Sequence, residues 1–364
     1  MNRKKLFIPG PTHVLDETLQ AMAQYPMGHR SQAYKDLHLK VVSGIQKVLF
    51  TEQTILLSTS SATGLMEATV RNLVHKRAAN FTCGAFSERW AEITALCGFQ
   101  QDTFSVEWGQ ANKPGEVREA LESGRYDVVT IVHNETSTGV TNPMAEIAGV
   151  VKEFPEVLLC VDSVSGMAGL PFYFDEWGVD VVFASVQKAW ALPPGFSVMA
   201  ISDKALARAD QTPTAQKGFY FDLSRMARSG AKGQTPITPS IPHLFGLESQ
   251  LERMASETME ARFQRHRDMA KRTRAWGSGR FGLFAEEGYA SDTVTCFSNP
   301  NETDLSRMIQ LADGEGFIVS GGYGNLKGRT FRIGHMGEHT LDGLEELLSV
   351  LDGILAEMEG ADLK

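Results

Sequence analysis

Five short apolar runs without polar alternation stand out in the first two thirds of the chain. They cover residues 54–58, 128–133, 158–162, 179–185 and 196–202. Runs of this length and composition predict strands that are buried on both faces, which is typical of a parallel sheet. Amphipathic segments such as 87–99 and 142–155 separate the runs and are long enough for crossover helices. The pattern therefore predicts an α/β domain of repeated strand and helix units.

The pattern changes after Phe245. Residues 245–276 carry apolar side chains at helical intervals on a strongly charged background, which predicts one long amphipathic helix. Further strands are predicted near 293–298, 317–322 and 330–335, and further helices within 302–316 and 341–359. We expect a large domain over residues 1–250, and a long linking helix with a small C-terminal α+β domain over residues 251–364.

Composition narrows the possible partners. The chain has 364 residues, of which 42% are hydrophobic, and a formal net charge of -9. An acidic chain offers no basic surface to nucleic acid or to an anionic membrane, so we expect neither partner. No apolar stretch approaches the roughly 20 residues of a membrane span, and we expect no export segment. Four widely spaced cysteines in apolar surroundings predict reduced thiols, and hence a cytoplasmic location.

Two reactive side chains follow two of the predicted strands. Asp162 ends the run 158–162, and Lys188 comes three residues after the run 179–185. Ligands of an open parallel sheet bind beyond the carboxyl ends of the strands, so both side chains are expected to face one crevice. Taken singly, Lys188 is equally compatible with a surface loop, and Asp162 with a turn or a helix cap. Together, a lysine that burial deprotonates and an aspartate that keeps a pyridine nitrogen protonated suit pyridoxal 5′-phosphate (PLP).

Eight motifs, in their order and spacing, carry a resemblance that covers nearly the whole chain. They are PGPT (9–12), MGHRS (27–31), SSATGLMEA (60–68), CGAFSERW (83–90), HNETSTGV (133–140), VDSVSG (161–166), SVQKAWALPPG (185–195) and FRIGHMG (331–337). The sequence resembles the class V aminotransferases, a family of fold-type I PLP enzymes, and most of all the alanine/serine:glyoxylate/pyruvate aminotransferases. The resemblance implies a mostly parallel seven-stranded sheet in the large domain and a PLP cofactor.

The resemblance also implies roles for residues around the cofactor ring. Lys188 corresponds to the lysine that bonds the cofactor covalently and moves a proton to and from the substrate Cα. Asp162 corresponds to the carboxylate that pairs with the pyridine nitrogen. Phe86 stands where the family stacks an aromatic ring on the cofactor, although a buried core phenylalanine is the alternative. Thr136 corresponds to a hydroxyl residue near the phenolic oxygen.

A second group of residues is implied to bind the cofactor phosphate. The SSATG segment is expected at a helix N-terminus, where free backbone amides and the helix dipole favour an anion. Ser61, Ala62 and Thr63 match the family's phosphate cup, although glycine is commoner at the position of Ala62, and Ser61 is also compatible with a plain helix cap. Ser185 and Gln187 are expected to contact the cofactor on the same side. Thr235 and Thr238 resemble residues that reach the phosphate of a partner subunit, which implies a homodimer.

The substrate side of the expected site contains Arg332. It corresponds to the arginine that binds the substrate α-carboxylate, and a guanidinium suits this role because it donates two parallel hydrogen bonds and keeps its charge. A surface ion pair is the alternative for Arg332. Gly10, His29 and Arg30 are the other residues expected near the substrate.

Two further patterns are set aside. HMGEH (335–339) matches the H-x-x-E-H pattern of zinc proteases, but Gly337 interrupts it and Thr340 is expected to cap the next helix, so we expect no metal site. GGYGNLKG (321–328) lacks the lysine and hydroxyl residue of a phosphate loop and is expected to form a turn beside Arg332.

The resemblance implies an aminotransferase that moves an amino group from alanine or serine to glyoxylate or pyruvate by a ping-pong mechanism. A phosphoserine aminotransferase is one alternative, since His29 and Arg30 resemble residues that those enzymes use on the substrate phosphate, although the same triplet occurs among relatives with small substrates. A 2-aminoethylphosphonate transaminase is another. A cysteine desulfurase is disfavoured because residues 305–335 contain no cysteine and glutamine precedes Lys188. A catalytically silent scaffold is disfavoured because it needs none of Lys188, Asp162 and Arg332.

Overall fold

The computed structural model describes residues 4–361, so residues 1–3 of the expected large domain and 362–364 of the expected small domain lie outside the described residues. Its strands are β1 (Lys5–Leu6), β2 (Thr54–Ser58), β3 (Ala78–Thr82), β4 (Gln101–Ser105), β5 (Val128–Val132), β6 (Asn134–Glu135), β7 (Val140–Thr141), β8 (Leu158–Asp162), β9 (Val181–Ser185), β10 (Ser197–Ile201), β11 (Gly282–Leu283), β12 (Val294–Ser298), β13 (Phe317–Ile318), β14 (Ser320–Gly321) and β15 (Thr330–Gly334).

The helices alternate with these strands over most of the described chain. They are α1 (Asp16–Met22), α2 (Gln32–Leu49), α3 (Ala62–Leu73), α4 (Ala85–Leu96), α5 (Pro114–Glu122), α6 (Met144–Val151), α7 (Phe174–Trp177), α8 (Asp203–Gln211), α9 (Thr214–Lys217), α10 (Leu223–Gly230), α11 (Ile241–Glu257), α12 (Met259–Gly277), α13 (Leu305–Gly314) and α14 (Leu341–Ala361). A short 3-10 helix spans Gly324–Leu326.

A seven-stranded sheet in the order β2-β10-β9-β8-β5-β3-β4 forms the centre of the molecule. Strand β10 is antiparallel to both of its neighbours, whereas the pairs from β9 to β4 are parallel. The five apolar runs all form strands of this sheet, as predicted. The expected α/β fold with a mostly parallel seven-stranded sheet is confirmed.

Helices cover both faces of the large sheet, which explains why its strands lack polar alternation. One apolar cluster joins Val129, Leu159 and Val182 to the helices on one face, and a second joins Val128, Leu158 and Phe183 to the helices on the other. Because neighbouring residues of each strand enter different clusters, both faces are buried. The carboxyl ends of β5, β8 and β9 then meet along one edge of the sheet.

A second sheet, in the order β11-β12-β15-β14, lies in the C-terminal part and has an apolar cluster of its own with α12, α13 and α14. The strands and helices predicted after residue 290 are all present, although the segment 317–322 forms two short strands. The N-terminal strand β1 pairs with β13, and Phe7 enters the C-terminal cluster. The sequence pattern did not predict this contact.

The prediction of a single long helix over residues 245–276 is wrong. The chain forms two helices there, α11 and α12, which meet at Thr258. Thr258 has φ 68°, outside the right-handed helical region, and its hydroxyl oxygen accepts a hydrogen bond from the Ala261 N–H at 3.3 Å. The apolar periodicity continues through the break, so the pattern alone gave no sign of it.

All four cysteines are free thiols, and Cys83, Cys160 and Cys296 are buried. Burial raises the pKa of the Cys83 thiol to about 12 and that of Cys296 to about 11. Within residues 4–361 no helix has the length and apolar character needed to cross a membrane.

Candidate active site

A cavity of about 130 Å³ opens where β5, β8 and β9 end. Nine of the residues expected to bind the cofactor line this cavity, namely Ser61, Ala62, Thr63, Phe86, Thr136, Asp162, Ser185, Gln187 and Lys188. They come from five separate segments of the chain, and the sheet topology brings these segments together. The crevice expected from the strand ends is therefore present.

Lys188 lies in the turn after β9, where its side chain is buried and its Nζ donates a hydrogen bond to the carbonyl oxygen of Pro9. Burial, followed by the charge of Arg332, lowers the pKa of Lys188 to about 8, whereas Asp162 opposes this shift. An amine with this pKa is about half neutral at pH 8. Such an amine is available as a nucleophile.

Asp162 is the last residue of β8 and is only 3% exposed. The Val164 N–H donates a hydrogen bond to its Oδ1 at 2.7 Å. Burial raises the pKa of Asp162 to about 7, while the Val164 N–H counteracts the shift. A buried carboxyl with a raised pKa gains most from a cationic partner, because the partner restores its charged form.

The start of α3 forms the opposite end of the cavity. Ser61 occupies the N-cap position, as the alternative interpretation expected, but its side chain makes no capping hydrogen bond. The Ala62 N–H donates to Ser185 Oγ at 2.7 Å. Gln187 Oε1 is buried without a hydrogen-bond partner. The helix N-terminus, with its free backbone N–H donors, is suited to bind an anion.

Arg332 lies on β15 and is 7% exposed. Its Nη1 donates to the carbonyl oxygen of Thr136 at 3.2 Å, and its Nε and Nη2 donate to that of Gly321 at 3.2 and 3.1 Å. No acidic side chain within residues 4–361 forms an ion pair with it, so a surface ion pair is excluded for this part of the chain. Burial lowers the pKa of Arg332, although an arginine remains charged.

Tyr323 and Arg89 belong to the site but were missed by sequence reasoning. The Tyr323 ring stacks on Phe86 with the ring centroids 5.3 Å apart, and Arg332 Cζ lies 5.7 Å from the Tyr323 centroid. Arg89 lines the cavity and donates through Nη2 to the Tyr323 hydroxyl oxygen at 3.0 Å. Its Cζ lies 4.8 Å from the Phe86 centroid. Both residues stand within motifs already quoted, CGAFSERW and GGYGNLKG.

The hydroxyl of Thr136 donates to Ser165 Oγ at 2.8 Å. Thr136 directly follows β6 and begins a buried turn. Glu135, directly before Thr136, is completely buried and was also missed, although it stands in the HNETSTGV motif. Its carboxylate faces the start of α4, which carries Phe86 and Arg89.

Four expected residues lie apart from the cavity. Arg30 donates through Nη1 to Gln234 Oε1 at 2.8 Å and to the carbonyl oxygen of Thr235 at 3.0 Å. The Thr235 hydroxyl donates to the Ile237 carbonyl oxygen at 2.6 Å, and Thr238 is exposed. None of His29, Arg30, Thr235 and Thr238 lines the cavity. Gly10, by contrast, packs directly against the Lys188 side chain.

The HMGEH segment has no helical conformation, and the Thr340 hydroxyl oxygen accepts the Gly343 N–H at 3.1 Å, as expected for a helix cap. Glu338 forms an ion pair with Arg262 at 2.8 Å, and His335 contacts Thr295. Within residues 4–361, no three His, Cys, Asp or Glu side chains are grouped as a metal would require.

An amine, a carboxylate and a helix N-terminus thus surround one cavity. The family model "Aminotransferase class-V" matches residues 6–276. The chain belongs to the class V aminotransferases, a PLP-dependent family.

Two curated relatives show the range of names within this similarity. The chain is 34% identical to the "Soluble hydrogenase, small subunit" of Synechococcus sp., over 98% of this chain and 94% of that protein. It is also 34% identical to the serine–glyoxylate aminotransferase of Methylorubrum extorquens, over 92% of this chain and 87% of that protein.

Two solved structures have the same fold over almost their whole length. The alanine–glyoxylate aminotransferase of Nostoc sp. superposes with a TM-score of 0.91 at 28% identity, covering 98% of this chain and 96% of that one. A subgroup IV aspartate aminotransferase from Thermus thermophilus gives 0.90 at 27% identity, covering 97% and 99%. The fold-type I architecture of the PLP aminotransferases is therefore confirmed.

Proposed function

We propose that this aminotransferase binds PLP at Lys188 and moves the amino group of a small amino acid, alanine or serine, to glyoxylate or pyruvate. The observation that carries the proposal is the meeting of Lys188 and Asp162 in one cavity, with pKa values of about 8 and about 7. A scaffold protein has no use for a buried amine and a buried carboxyl whose pKa values are shifted towards each other.

The described residues fit the cofactor. The start of α3 lines one end of the cavity and offers backbone N–H donors there, which supports the binding of a phosphate. Ser61, Thr63 and Gln187 would hold the phosphate at the start of α3, Asp162 would face the ring nitrogen, and Phe86 would cover the ring. PLP supplies an aldehyde that bonds amines and a ring that withdraws electrons from the substrate Cα.

Lys188 carries the proton in the proposed reaction. Its pKa of about 8 means that the amine accepts and releases a proton close to neutral pH, as a general acid–base requires. Arg332 orients the substrate by binding its carboxylate through two hydrogen bonds, which places the Cα–H near Lys188. Gly10 leaves room for the Lys188 side chain, since no side chain fits between them.

A homodimer is part of the proposal. Thr235, Thr238, His29 and Arg30 would serve the cavity of a partner subunit, which agrees with the contact between Arg30 and Thr235 and with the absence of all four from the cavity of their own chain. Dilution until the subunits separate should then weaken PLP binding, with both quantities measured by ultracentrifugation and absorbance.

Aspartate is a second candidate for the amino donor. Arg89 lines the cavity and, within residues 4–361, has neutral contacts only, to Tyr323 and Phe86. A second cation beside Arg332 favours a donor with a second carboxylate. The similarity to a solved aspartate aminotransferase supports this candidate. Phosphoserine and 2-aminoethylphosphonate are less supported.

The test is an absorbance titration of the purified protein with PLP, followed by separate additions of alanine, serine, aspartate, phosphoserine and 2-aminoethylphosphonate. Conversion of the cofactor to its amine form by one of these donors, and regeneration by glyoxylate or pyruvate, supports the proposal. The Lys188→Ala variant is the control and should not turn over. A protein that does not bind PLP contradicts the proposal.

We also propose the division into a large domain, residues 1–250, and a linking region with a small domain, residues 251–364. The separate apolar cluster of α12, α13 and α14 supports it. The proposed cytoplasmic location is supported by four free cysteines, since such thiols are typical of a reducing compartment.

A further inference from the structure

Glu135 is a completely buried carboxylate that forms no ion pair within residues 4–361 but accepts hydrogen bonds from several donors. Its Oε1 accepts the Ser137 N–H at 3.2 Å and the Ser137 hydroxyl at 2.6 Å. Its Oε2 accepts the Ser87 N–H at 3.0 Å and the Ser87 hydroxyl at 3.1 Å. The Phe86 N–H approaches both oxygens, at 3.3 and 3.2 Å.

The Phe86 and Ser87 donors belong to the first turn of α4. The carboxylate therefore satisfies backbone amides that have no partner within the helix, and its charge interacts favourably with the positive end of the helix dipole. Phe86 and Arg89, which line the cavity, lie on the first turns of this same helix. A Cβ at Gly84 would lie 2.5 Å from Glu135 Cγ, so the helix start is packed directly against the carboxylate side chain.

The residue after Glu135 extends the connection to the other side of the cavity. The Thr136 carbonyl oxygen accepts Arg332 Nη1 at 3.2 Å, and the Thr136 hydroxyl donates to Ser165 Oγ at 2.8 Å. Ser165 lies three residues after Asp162. The aromatic ring, the substrate arginine and the turn that follows Asp162 therefore share one short segment of backbone.

We propose that Glu135 is a positioning residue of the active site, which holds the Phe86 ring and the Arg332 guanidinium in place relative to Lys188. It acts through the start of α4 and through the backbone that it shares with Thr136, and it touches neither substrate nor cofactor. This inference rests on the proposed function, because it assigns the ring and the guanidinium to cofactor and substrate.

The charge of Glu135 gives the inference a second consequence. The charged groups that influence the Lys188 amine are Arg332, Asp162, Arg89 and Glu135; the two arginines lower its pKa and the two carboxylates raise it. Replacement of Glu135 by a neutral residue therefore lowers the proton affinity of Lys188. A purely structural carboxylate elsewhere in the fold would not have this effect.

The experiment compares Glu135→Gln with Asp127→Asn. Asp127 is the matched control because it is also buried and accepts three backbone N–H groups, those of His75, Lys76 and Arg77, but lines no part of the cavity. In Glu135→Gln, the amide nitrogen must face an N–H donor, because both carboxylate oxygens accept backbone N–H groups. The measurements are the PLP dissociation constant, KM and kcat for the donor, the pH dependence of the bound-cofactor absorbance, and the melting temperature.

We expect Glu135→Gln to weaken PLP binding by about 10-fold or more, since a hydrogen bond to a buried charge is lost. KM for the donor should rise more than kcat falls, because Arg332 shifts, and the absorbance transition should move to lower pH. Asp127→Asn should lower the melting temperature and leave PLP affinity, KM and the absorbance transition unchanged.

Equal behaviour of the two variants, with a lower melting temperature and no change at the site, would overturn the inference. If Glu135→Gln does not fold, Ser87→Ala and Ser137→Ala each remove one hydroxyl donor and keep the charge. Each should weaken PLP binding by a few-fold without moving the absorbance transition, and unchanged PLP affinity in both contradicts the inference. Failure of the unaltered protein to bind PLP contradicts the proposed function instead.

Discussion

Gly10 lies so close to Lys188 that a Cβ on the glycine would be 2.5 Å from Lys188 Cδ and 2.9 Å from its Nζ. Gly10 also has φ +117°, a conformation that residues with a side chain rarely adopt. The N-terminal segment thus contacts the Lys188 side chain through a glycine. A residue with a side chain at this position would displace the lysine. The adjoining Pro9 carbonyl oxygen accepts the hydrogen bond of the amine.

The Gly10→Ala variant should therefore lose covalent PLP binding. The methyl group and Lys188 cannot keep their present positions together, and we expect an affinity loss of about 10-fold or more, corresponding to the usual cost of overpacking. The measurement is the absorbance of bound PLP. Gly98→Ala is the control, because Gly98 also has a positive φ but no atom within 4 Å of the added carbon; it should lower stability alone. Normal PLP binding by Gly10→Ala would contradict the contact.

The reactivity of Lys188 should depend on pH with a midpoint near 8. Burial and Arg332 lower the pKa of this amine to about 8 from 10.5, so the neutral nucleophile predominates above pH 8 in the cofactor-free protein. The rate of covalent reaction with added PLP should rise through pH 8 and then level off. Stopped-flow absorbance between pH 6 and 10 measures it, with Lys188→Ala as the control. A midpoint near 10.5 would show an amine that burial does not perturb.

Because of Asp162, the stability of the cofactor-free protein should fall as the pH rises. Its pKa is about 7 in the folded protein against 3.8 ordinarily, so between these values the folded state binds a proton that the unfolded state lacks. Stability from this group is therefore lost as pH rises from 3.8 to 7. Asp162→Asn removes the dependence, and its free energy of unfolding relative to the unaltered protein should rise over this range, by up to about 1.4 kcal/mol per unit of pKa shift.

Denaturant unfolding at pH 4, 5, 6 and 7 measures this difference. Asp127→Asn serves as a comparison, since Asp127 is buried beside the cation of Arg208. A difference between Asp162→Asn and the unaltered protein that stays constant over this pH range would contradict the raised pKa of Asp162. The Asp162→Asn variant should also have lost the aminotransferase activity.

The amount of fold that the sequence could predict follows from where each strand lies. Strands β2 and β8 have the bounds of their apolar runs, because strands buried on both faces contain few polar residues. Strand β4, at the edge of the sheet, was missed since its residues QDTFS are mostly polar and partly exposed. Strand β3 was missed as well, although it is buried, because its residues AANFT include neither valine nor isoleucine. The helix break at Thr258 was missed because a single backbone rotation breaks the helix without a change in periodicity.

The candidate site divides in the same way. Lys188, Asp162 and Arg332 could be named from their motifs, because the chemistry itself requires these residue types. Glu135 and Tyr323 could not, since their importance comes from contacts across long stretches of chain, 48 residues from Glu135 to Ser87 and 234 from Tyr323 to Arg89. Roles of this kind depend on tertiary structure, to which local pattern gives no access.

Arg332 should control affinity for the substrate carboxylate and not for PLP. We expect Arg332→Gln to reduce kcat/KM for the amino donor by about 10- to 100-fold, because two charge-assisted hydrogen bonds are lost. PLP affinity should change little. Arg329→Gln is the matched control, since Arg329 lies on the same segment but is exposed. If Arg329→Gln reduces kcat/KM and Arg332→Gln does not, Arg332 is not the residue that binds the substrate carboxylate.

Tyr323 should act through both arginines of the cavity. Its hydroxyl accepts a hydrogen bond from Arg89, and its ring lies between Phe86 and Arg332. Tyr323→Phe keeps the ring and removes only the hydroxyl, so Arg89 becomes free to turn and we expect a loss of about 2- to 10-fold in kcat/KM, the usual worth of one hydrogen bond. Tyr323→Ala also removes the stacking on Phe86 and the cation–π contact with Arg332, and should raise KM further.

Steady-state kinetics with alanine and aspartate distinguish the two contributions, because the loss of the hydroxyl should affect aspartate more if Arg89 binds its second carboxylate. Equal kinetics of Tyr323→Ala and the unaltered protein would mean that this ring takes no part in binding the substrate.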